Sequence, residues 1–262
     1  MEDLSRASGL PLWLDVTRGT LVLAHPGGVL KGEPGSLEAA RSVLLEPEAA
    51  APEVLYWAFR DVVLPTDVEV FRERRVRHSL LLLCAGRVGK EYVKTHGHRV
   101  TLADGAGSPE VYGVLYGRGV FVLQETVEEA CGWPEARVTD VRWIEAARGD
   151  KVVVPAGYGV VVANTGQGPL LLSNLAIADS WPPYLAYQRM QGAAYYVVAR
   201  GRRARAVPNP RYEQPLPAPL REAPIEASDL GVEPEQSLYS AFVHNPERFA
   251  WLSNAEGGVS RC

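Results

Sequence analysis

Several features that would assign this chain to a class are scarce in it. It has only three cysteines among 262 residues, and their spacing fits neither a metal finger nor a disulfide framework: Cys84, Cys131 and Cys262. We therefore expect reduced thiols in a cytoplasmic protein. No stretch approaches the roughly 20 apolar residues of a membrane span. The start, MEDLSRASGLPLW, lacks the pattern of a signal peptide. These absences predict a soluble protein with no membrane partner.

An excess of positive charge is also missing. The chain has 27 basic and 31 acidic side chains, for a formal net charge of −4. Nucleic-acid binding needs a concentrated basic face, so we predict no nucleic-acid partner. One short basic cluster stands beside Glu- and Pro-rich sequence and is interpreted as a solvated turn: Arg200, Arg202, Arg203 and Arg205.

Glycine and proline, by contrast, are frequent. The 25 glycines and 20 prolines separate short β-branched and aromatic runs, a pattern typical of many short strands joined by tight turns. The predicted strands are Thr20–Ala24, Val54–Val63, Ser79–Ala85, Glu91–His96, Glu110–Leu115, Gly119–Glu125, Val138–Ile144, Lys151–Val154, Gly159–Asn164 and Pro169–Ala176. A surface helix is predicted over Leu37–Glu46, with Ser36 as its N-cap and Pro47 ending it.

The composition changes after Arg205. Closely spaced prolines predict an extended, semi-rigid connector. Beyond it, the segment Pro234–Asn254 is expected to hold one or two short helices. Their apolar face would consist of Leu238, Phe242, Phe249 and Leu252. Such a face needs a covering surface, either on the same chain or on another subunit.

Two stretches resemble the paired motifs of a cupin barrel. The first is KEYVKTHGH followed by EVYGVLYG, in which Glu110 has the spacing of the cupin carboxylate ligand. In a strand His96 and His98 would share a face, and in a small barrel two imidazoles there can hold one metal ion. The second, GDKVVVPAGYGVVVAN, keeps the cupin glycine, proline and asparagine positions, but Val160 stands where the motif has histidine.

The resemblance implies an all-β fold, the cupin double-stranded β-helix (jelly-roll barrel), with a few peripheral helices. We expect N-terminal strands and the surface helix over residues 1–60, the barrel over 61–212, and the connector and helical tail over 213–262.

Longer stretches of the sequence resemble one particular family of cupins. The runs GRVGKEYVKTHGH, PEVYGVLYGRGVFVLQ and VVVPAGYGVVVANTG, with VPNPRY at Val207–Tyr212, resemble the cupin-type glucose-6-phosphate isomerases of archaea and some bacteria. Members of that family interconvert glucose 6-phosphate and fructose 6-phosphate in a barrel that holds one divalent metal. The resemblance therefore implies a sugar phosphate as ligand and iron, manganese, zinc or nickel as cofactor.

It also implies roles for particular residues. The family's phosphate-binding turn, T-x-G-H, corresponds to Thr95, His96, Gly97 and His98. Four metal-ligand positions fall on His98, Val100, Glu110 and Val160. Pocket tyrosines fall on Tyr112 and Tyr184, a pocket histidine falls on Pro182, and a family hydroxyl group falls on Leu81.

The residues leave alternatives open. His98 and Glu110 form either a residual metal site, with His96 as a third ligand, or a hydrogen-bonded pair in a barrel without metal. Glu110 is also the candidate general base for moving a proton between C2 and C1. The chain is thus interpreted as an isomerase, with a non-catalytic sugar-phosphate-binding cupin and a structural or partner-binding cupin as the alternatives. A homodimer is expected.

Overall fold

A computed structural model describes residues 1–24, 30–102, 105–126, 137–179, 184–201, 203–233 and 235–253. The strands are β1 (Glu2–Asp3), β2 (Leu12–Asp15), β3 (Thr20–Leu23), β4 (Glu33–Ser36), β5 (Val54–Phe59), β6 (Val76–Leu83), β7 (Arg87–Val88), β8 (Glu91–Tyr92), β9 (His98–Arg99), β10 (Glu110–Tyr116), β11 (Arg118–Thr126), β12 (Val138–Ala147), β13 (Lys151–Val154), β14 (Tyr158–Asn164), β15 (Leu170–Ile177), β16 (Tyr195–Arg200), β17 (Arg203–Pro208) and β18 (Leu220–Glu222). The α-helices are α1 (Ser5–Ser8), α2 (Leu37–Ala40), α3 (Val68–Arg74), α4 (Leu185–Arg189) and α5 (Leu238–His244). Short 3-10 helices cover Arg41–Val43, Ala227–Leu230 and Pro246–Ser253.

Two sheets form the barrel. One has the order β13-β10-β15-β6-β5-β4 and the other the order β18-β12-β11-β14-β9, and their strands are antiparallel except where β18 joins β12. Alternate side chains from both sheets meet in one buried apolar cluster, which includes Tyr112, Phe121, Val160 and Leu172. This architecture is the cupin double-stranded β-helix, so the predicted fold class is confirmed.

The strand predictions hold for the barrel core, although the strand predicted over Val54–Val63 ends at Phe59, and two other interpretations need correction. Only Glu91–Tyr92 of the predicted strand Glu91–His96 is a strand, because the following residues make only an isolated bridge, between Lys94 and Ala163, before β9 begins at His98. The basic cluster is not a simple solvated turn, because Tyr195–Arg200 and Arg203–Pro208 pair as a β-hairpin. Pro182, Arg202, Cys131 and Cys262 lie outside the described residues.

The predicted surface helix is shorter than expected and contributes to the interior. Ser36 caps it as predicted, since its hydroxyl accepts a hydrogen bond from the Ala39 N–H over 3.1 Å. The α-helix ends at Ala40, and one 3-10 turn follows. Its apolar side chains are buried against Val93 and Val161, so this segment closes one side of the barrel.

The C-terminal tail is helical, as predicted, and its apolar face is covered by its own chain. Leu238, Phe242, Phe249 and Leu252 are each no more than 1% exposed. They join the cluster that contains Leu80 and Leu175 of the six-stranded sheet, among others. The tail therefore needs no second subunit to cover it. The boundaries proposed at residues 60 and 212 stay predictions.

Within the described residues, no helix has both the length and the apolar character required to cross a bilayer.

Candidate functional site

A cavity of about 420 Å³ opens on the six-stranded sheet, and all the predicted site residues line it. They are Thr95, His96, Gly97, His98, Glu110, Tyr112 and Tyr184. Val100 and Leu81, two positions where the family pattern is not kept, also line it. The sequence motifs therefore identify one continuous site, with a volume in the range of small-molecule pockets.

The segment beside β14 that contains the two histidines has a β-bulge. Lys94 pairs with Ala163 and His98 pairs with Val160, so four steps along this segment oppose three steps along β14. The extra residue interrupts the alternation of side chains on which the prediction of two equivalent histidines depended. Gly97, with φ +94°, stands between them.

Gly97 is required by packing as well as by its backbone angle. A Cβ atom there would lie 2.8 Å from both the Tyr187 ring and Val161. Thr95 is fixed too: its N–H donates to the Val162 carbonyl, and its hydroxyl accepts from the Val162 N–H over 3.0 Å. The T-x-G-H turn is thus held rigidly against β14, and the Thr95 hydroxyl keeps its own hydrogen for donation.

His98 and Glu110 meet on the lining of the cavity. His98 Nε2 lies 3.2 Å from Glu110 Oε1, but their geometry does not form an aligned hydrogen bond. The Glu110 side chain is only 2% exposed. Its other oxygen, Oε2, accepts a hydrogen bond from Asn174 Nδ2 over 2.9 Å. One carboxylate oxygen is therefore held by Asn174, and the other is directed toward the histidine.

Two tyrosines flank this pair. Burial and the adjacent Glu110 raise the pKa of Tyr112 well above its usual value, so the Tyr112 hydroxyl stays protonated. The Tyr184 ring makes an edge contact with the His96 ring at 5.4 Å between centroids. Burial, with a further contribution from Lys94, lowers the pKa of His96 to about 4, so its imidazole is neutral at pH 7.

The donor set of the cavity does not match a resident metal. The described residues contain no group of three or more His, Cys, Asp and Glu side chains arranged to hold an ion. The predicted set of His96, His98 and Glu110 is not such a group, although all three residues line the cavity. His98 and Glu110 supply two donors, whereas zinc centres use three or four protein ligands. Val100 and Val160 supply none.

The second motif is intact apart from Val160. Gly149 and Gly157 adopt φ values of +97° and +84°, as their turns require. The buried Asn164 amide donates to the carbonyls of Leu83, Cys84 and Gly168, and so joins the two sheets. Val160 is the strand partner of His98. The structure thus brings the fourth ligand position next to the first, with an apolar side chain there.

Two arginines of the cavity were missed by sequence reasoning. Arg60 and Arg77 both line it, and they pair with Glu33 and Asp61 respectively. Arg60 also contacts the Tyr184 hydroxyl. They lie outside both motifs, near β5 and β6, and the sequence offered no signal beyond their charge.

A buried ion pair lies just before the bulge. Glu91 is fully buried and pairs with Lys94 over 2.7 Å. Lys94 Nζ also donates to the Val43 carbonyl over 2.6 Å, and Glu91 accepts from the Leu45 N–H over 3.0 Å. These bonds attach the N-terminal segment to the chain just before the bulge.

The VPNPRY run has a structural role beside the site. The Asn209 amide is fully buried and donates to the carbonyls of Met190 and Ala193. The Tyr212 hydroxyl donates to the Gly192 carbonyl over 2.8 Å. These bonds hold the loop that follows α4, and Tyr184 immediately precedes that helix.

Comparison with known proteins agrees with these motifs. The profile of the family described as "Glucose-6-phosphate isomerase (GPI)" matches residues 37–213. The glucose-6-phosphate isomerase of Thermococcus gammatolerans is 30% identical over 141 residues, which are 54% of this chain and 67% of the relative. That of Pyrococcus abyssi is 30% identical over 142 residues, with the same two shares.

Solved structures resemble the chain only distantly. Vicilin from Corylus avellana (hazelnut) matches with 14% identity and a TM-score of 0.36, over 51% of this chain and 34% of that one. Oxalate decarboxylase from Lactobacillus farciminis, in a formate complex, matches with 14% identity and a TM-score of 0.35, over 52% of this chain and 32% of that one. This chain spans about a third of their length, and at these scores they support no conclusion about its ligand or reaction.

The family match extends across the barrel and contains every residue of the cavity that the motifs identified. It covers more than half of the chain, and it includes both the bulged T-x-G-H turn and the Gly149–Asn164 motif. The chain belongs to the glucose-6-phosphate isomerase (GPI) family.

Proposed function

We propose that this protein binds a phosphorylated sugar in the 420 Å³ cavity and interconverts glucose 6-phosphate and fructose 6-phosphate there. The observation that carries the proposal is the burial and hydrogen bonding of the Glu110 carboxylate. Its carboxylate is buried in the cavity, and Asn174 holds Oε2. Oε1 has no aligned hydrogen-bond donor among the described residues. A carboxylate with one oxygen held and the other without a donor can act as a general base and accept a proton from a sugar carbon.

The isomerisation moves one proton from C2 to C1 and one from O2 to O1. In the first step, Glu110 Oε1 takes the proton from C2 of the open-chain aldose, the electron pair forms the C1–C2 double bond, and O1 takes a proton from His98, which gives the enediol. In the second step, His98 takes the proton from O2, the C2 carbonyl forms and Glu110 returns its proton to C1. His98 is the residue suited to carry the proton between O1 and O2, because its Nε2 lies 3.2 Å from Glu110 Oε1. Tyr112 can donate a hydrogen bond to the developing oxyanion.

The phosphate needs positive charge, which the Thr95–Gly97 turn does not supply. The turn can offer the Thr95 hydroxyl and a backbone N–H, while Leu81 removes a further hydroxyl. We propose that Arg60 and Arg77 provide the compensating charge at the same cavity. Guanidinium groups match phosphate oxygens geometrically, and charge-assisted hydrogen bonds contribute roughly 1.5–3 kcal/mol each.

A divalent metal is not required for these steps, because Glu110, His98 and Tyr112 are groups of the chain itself. A homodimer and a cytoplasmic location stay predictions. The apolar tail face that would have favoured a dimer is covered by its own barrel.

A non-catalytic sugar-phosphate binder is the second candidate. It is favoured by Val100 and Val160, which remove two metal-ligand positions of the family pattern while the lining residues Thr95, Gly97, Arg60 and Arg77 remain. The two candidates differ only in turnover, so binding and turnover must be measured separately.

The test compares wild-type protein with Glu110→Gln, purified in parallel so that a contaminating host isomerase is detected. Calorimetry with fructose 6-phosphate and with fructose measures binding, and a coupled assay measures turnover. We expect both proteins to bind the phosphorylated sugar and neither to bind fructose comparably. Turnover should fall at least about 100-fold in Glu110→Gln.

Equal affinity for fructose and fructose 6-phosphate would contradict the ligand assignment. Equal turnover in both proteins would contradict the role of Glu110. Binding without turnover in the wild type would favour the second candidate.

The arginines are tested in the same binding assay. Arg60→Gln and Arg77→Gln should each weaken fructose 6-phosphate binding by about tenfold or more, because each removes a charge-assisted contact. Arg72→Gln is the matched control, since Arg72 also pairs with a glutamate but lies exposed on α3, away from the cavity. Unchanged affinity in both pocket variants would show that neither arginine contacts the phosphate.

A further inference from the structure

A second cavity, of about 560 Å³, lies on the other sheet. It is bounded by β11 and β12, by the residue Arg221 of β18, and by the β16–β17 hairpin. Within the described residues it shares no lining residue with the sugar-phosphate cavity. Nothing in the proposed isomerisation uses it.

Positive charge dominates this second cavity. Four arginines line it, and only two carboxylates do: Arg118, Arg203, Arg205 and Arg221, with Glu145 and Asp150. The four arginines come from three separate parts of the chain. The basic cluster of the sequence thus supplies two of the cationic groups of a shaped cavity.

The two carboxylates are already engaged. Glu145 Oε1 pairs with Arg221 Nη1 over 2.7 Å and accepts from the Trp143 indole N–H over 3.2 Å. Asp150 Oδ2 accepts from the Ala147 N–H over 2.8 Å. By contrast, Arg118, Arg203 and Arg205 make no ion pair with a carboxylate of the described chain. Arg203 and Arg205 therefore line the cavity without an ion pair among the described residues, and Arg118 lies close enough to Glu145 to help lower the pKa of its carboxyl.

The fourth arginine is fixed in place. Arg221 lies over the Trp143 ring, 5.5 Å from guanidinium carbon to ring centroid, while it pairs with Glu145. Parallel pairing of β18 with β12 sets Arg221 opposite Trp143. The hairpin pairing likewise fixes Arg203 and Arg205 on alternate positions of β17, so their side chains leave the strand on the same face.

We propose that this cavity is a binding site for a small molecule that carries two or more phosphate groups. Arginine presents its donors as a planar fork that fits phosphate oxygens in pairs, and several such groups around a concave surface select for a multiply charged anion. The Tyr92 and Thr165 hydroxyls on the same lining add neutral donors. The volume admits a diphosphate or a nucleotide.

The first experiment measures the binding of inorganic pyrophosphate by calorimetry at about 0.15 M salt. We expect saturable binding to the wild-type protein. The double variant Arg203→Gln/Arg205→Gln should bind pyrophosphate more weakly, by roughly tenfold or more, because two phosphate contacts are lost. Arg200→Gln is the matched control: Arg200 is the strand partner of Arg203 in the same hairpin but does not line the cavity.

A reciprocal variant separates this site from the sugar-phosphate cavity. Arg60→Gln/Arg77→Gln should retain pyrophosphate binding, and Arg203→Gln/Arg205→Gln should retain fructose 6-phosphate binding. The proposal for the second cavity can therefore be confirmed even if the isomerase proposal is wrong. Absence of saturable pyrophosphate binding to the wild type, or equal binding by the hairpin variant, would overturn the proposal. So would a change of oligomeric state in the hairpin variant by sedimentation, because the arginines would then belong to a subunit contact.

Discussion

Asn174 Nδ2 donates a hydrogen bond to Glu110 Oε2 over 2.9 Å, from the neighbouring strand of the six-stranded sheet. The bond restrains a buried carboxylate whose other oxygen lies 3.2 Å from His98 Nε2. Asn174 is therefore a positioning residue for Glu110. No motif indicates this role, because Asn174 lies in an apolar run, LLLSNLAI, outside both motifs.

Removal of this restraint should affect turnover more than binding. In Asn174→Leu, the loss of a hydrogen bond to a charged group should lower kcat for isomerisation by roughly 10- to 100-fold, with a smaller change in KM. Ser173→Ala is the matched control, because Ser173 is the adjacent residue on the same strand and its side chain leaves on the opposite face. If both variants have the same kcat, Asn174 does not position the base.

The pairing of His98 with Val160 supports a prediction about metal. In Val160→His, an imidazole is placed directly beside His98, on the strand that pairs with it. With Glu110 this makes three donors, the number that catalytic zinc sites use. We expect the affinity for Zn²⁺ or Mn²⁺, measured by calorimetry, to rise by at least about tenfold over the wild type.

The control for this experiment is Val160→Leu, which changes the side chain without adding a donor. Its metal affinity should equal that of the wild type. No gain in Val160→His, in a protein that keeps the wild-type unfolding temperature, would mean that position 160 is not directed at the His98–Glu110 pair.

The sequence predicted those parts of the molecule that local spacing encodes. Gly149, Gly157 and Asn164 occupy turn and cross-sheet positions that only a few residue types satisfy, so their pattern indicated the barrel. The bulge at Gly97 was not predictable, because it depends on how the segment pairs with β14. It interrupts the alternation of side chains between Lys94 and His98. Likewise Arg60 and Arg77 reach the cavity through the pairing of β5 with β6, which no local pattern records.

The C-terminal tail was also only partly predictable from the sequence. The spacing of Leu238, Phe242 and Phe249 indicated an apolar helical face, and that face exists. The sequence did not decide which surface covers it, because burial against the same barrel and burial against another subunit need the same residues. In the structure the covering surface is the barrel's own six-stranded sheet.

Stability should depend strongly on that tail. Phe242 is fully buried and contacts the rings of Phe71 and Phe249, at 4.7 Å and 5.6 Å between centroids. Phe242→Ala should lower the free energy of unfolding by about 3–5 kcal/mol, through lost burial and the cavity left behind. Urea unfolding followed by circular dichroism measures it.

Val68→Ala is the control for the tail variant. Val68 is 45% exposed at the start of α3, so the loss should stay within about 0.5 kcal/mol. A Phe242→Ala protein as stable as this control would mean that the tail does not pack on the barrel in solution.

His78 should make stability dependent on pH. It is fully buried, its Nδ1–H donates to the Val62 carbonyl over 2.7 Å, and its Nε2 has no partner among the described residues. The rings of Phe71 and Tyr239 lie against it, and the Tyr239 hydroxyl itself donates to Asp67. Burial lowers the pKa of His78 to about 4, so the folded protein holds it neutral.

In the unfolded chain, His78 takes up a proton as the pH falls below about 6.5, whereas the folded protein resists this until about pH 4. Its contribution to stability is therefore complete above pH 6.5 and is lost progressively as the pH falls toward 4. Between pH 7 and pH 5 the wild type should lose about 2 kcal/mol more than His78→Phe, in which this position cannot titrate. Urea unfolding at both pH values measures the difference for each protein, which cancels the cost of the lost Val62 hydrogen bond.

Phe71→Leu, which trims the neighbouring ring and leaves the histidine, should keep the wild-type pH dependence. An equal loss in His78→Phe and the wild type would show that His78 is not held neutral by burial.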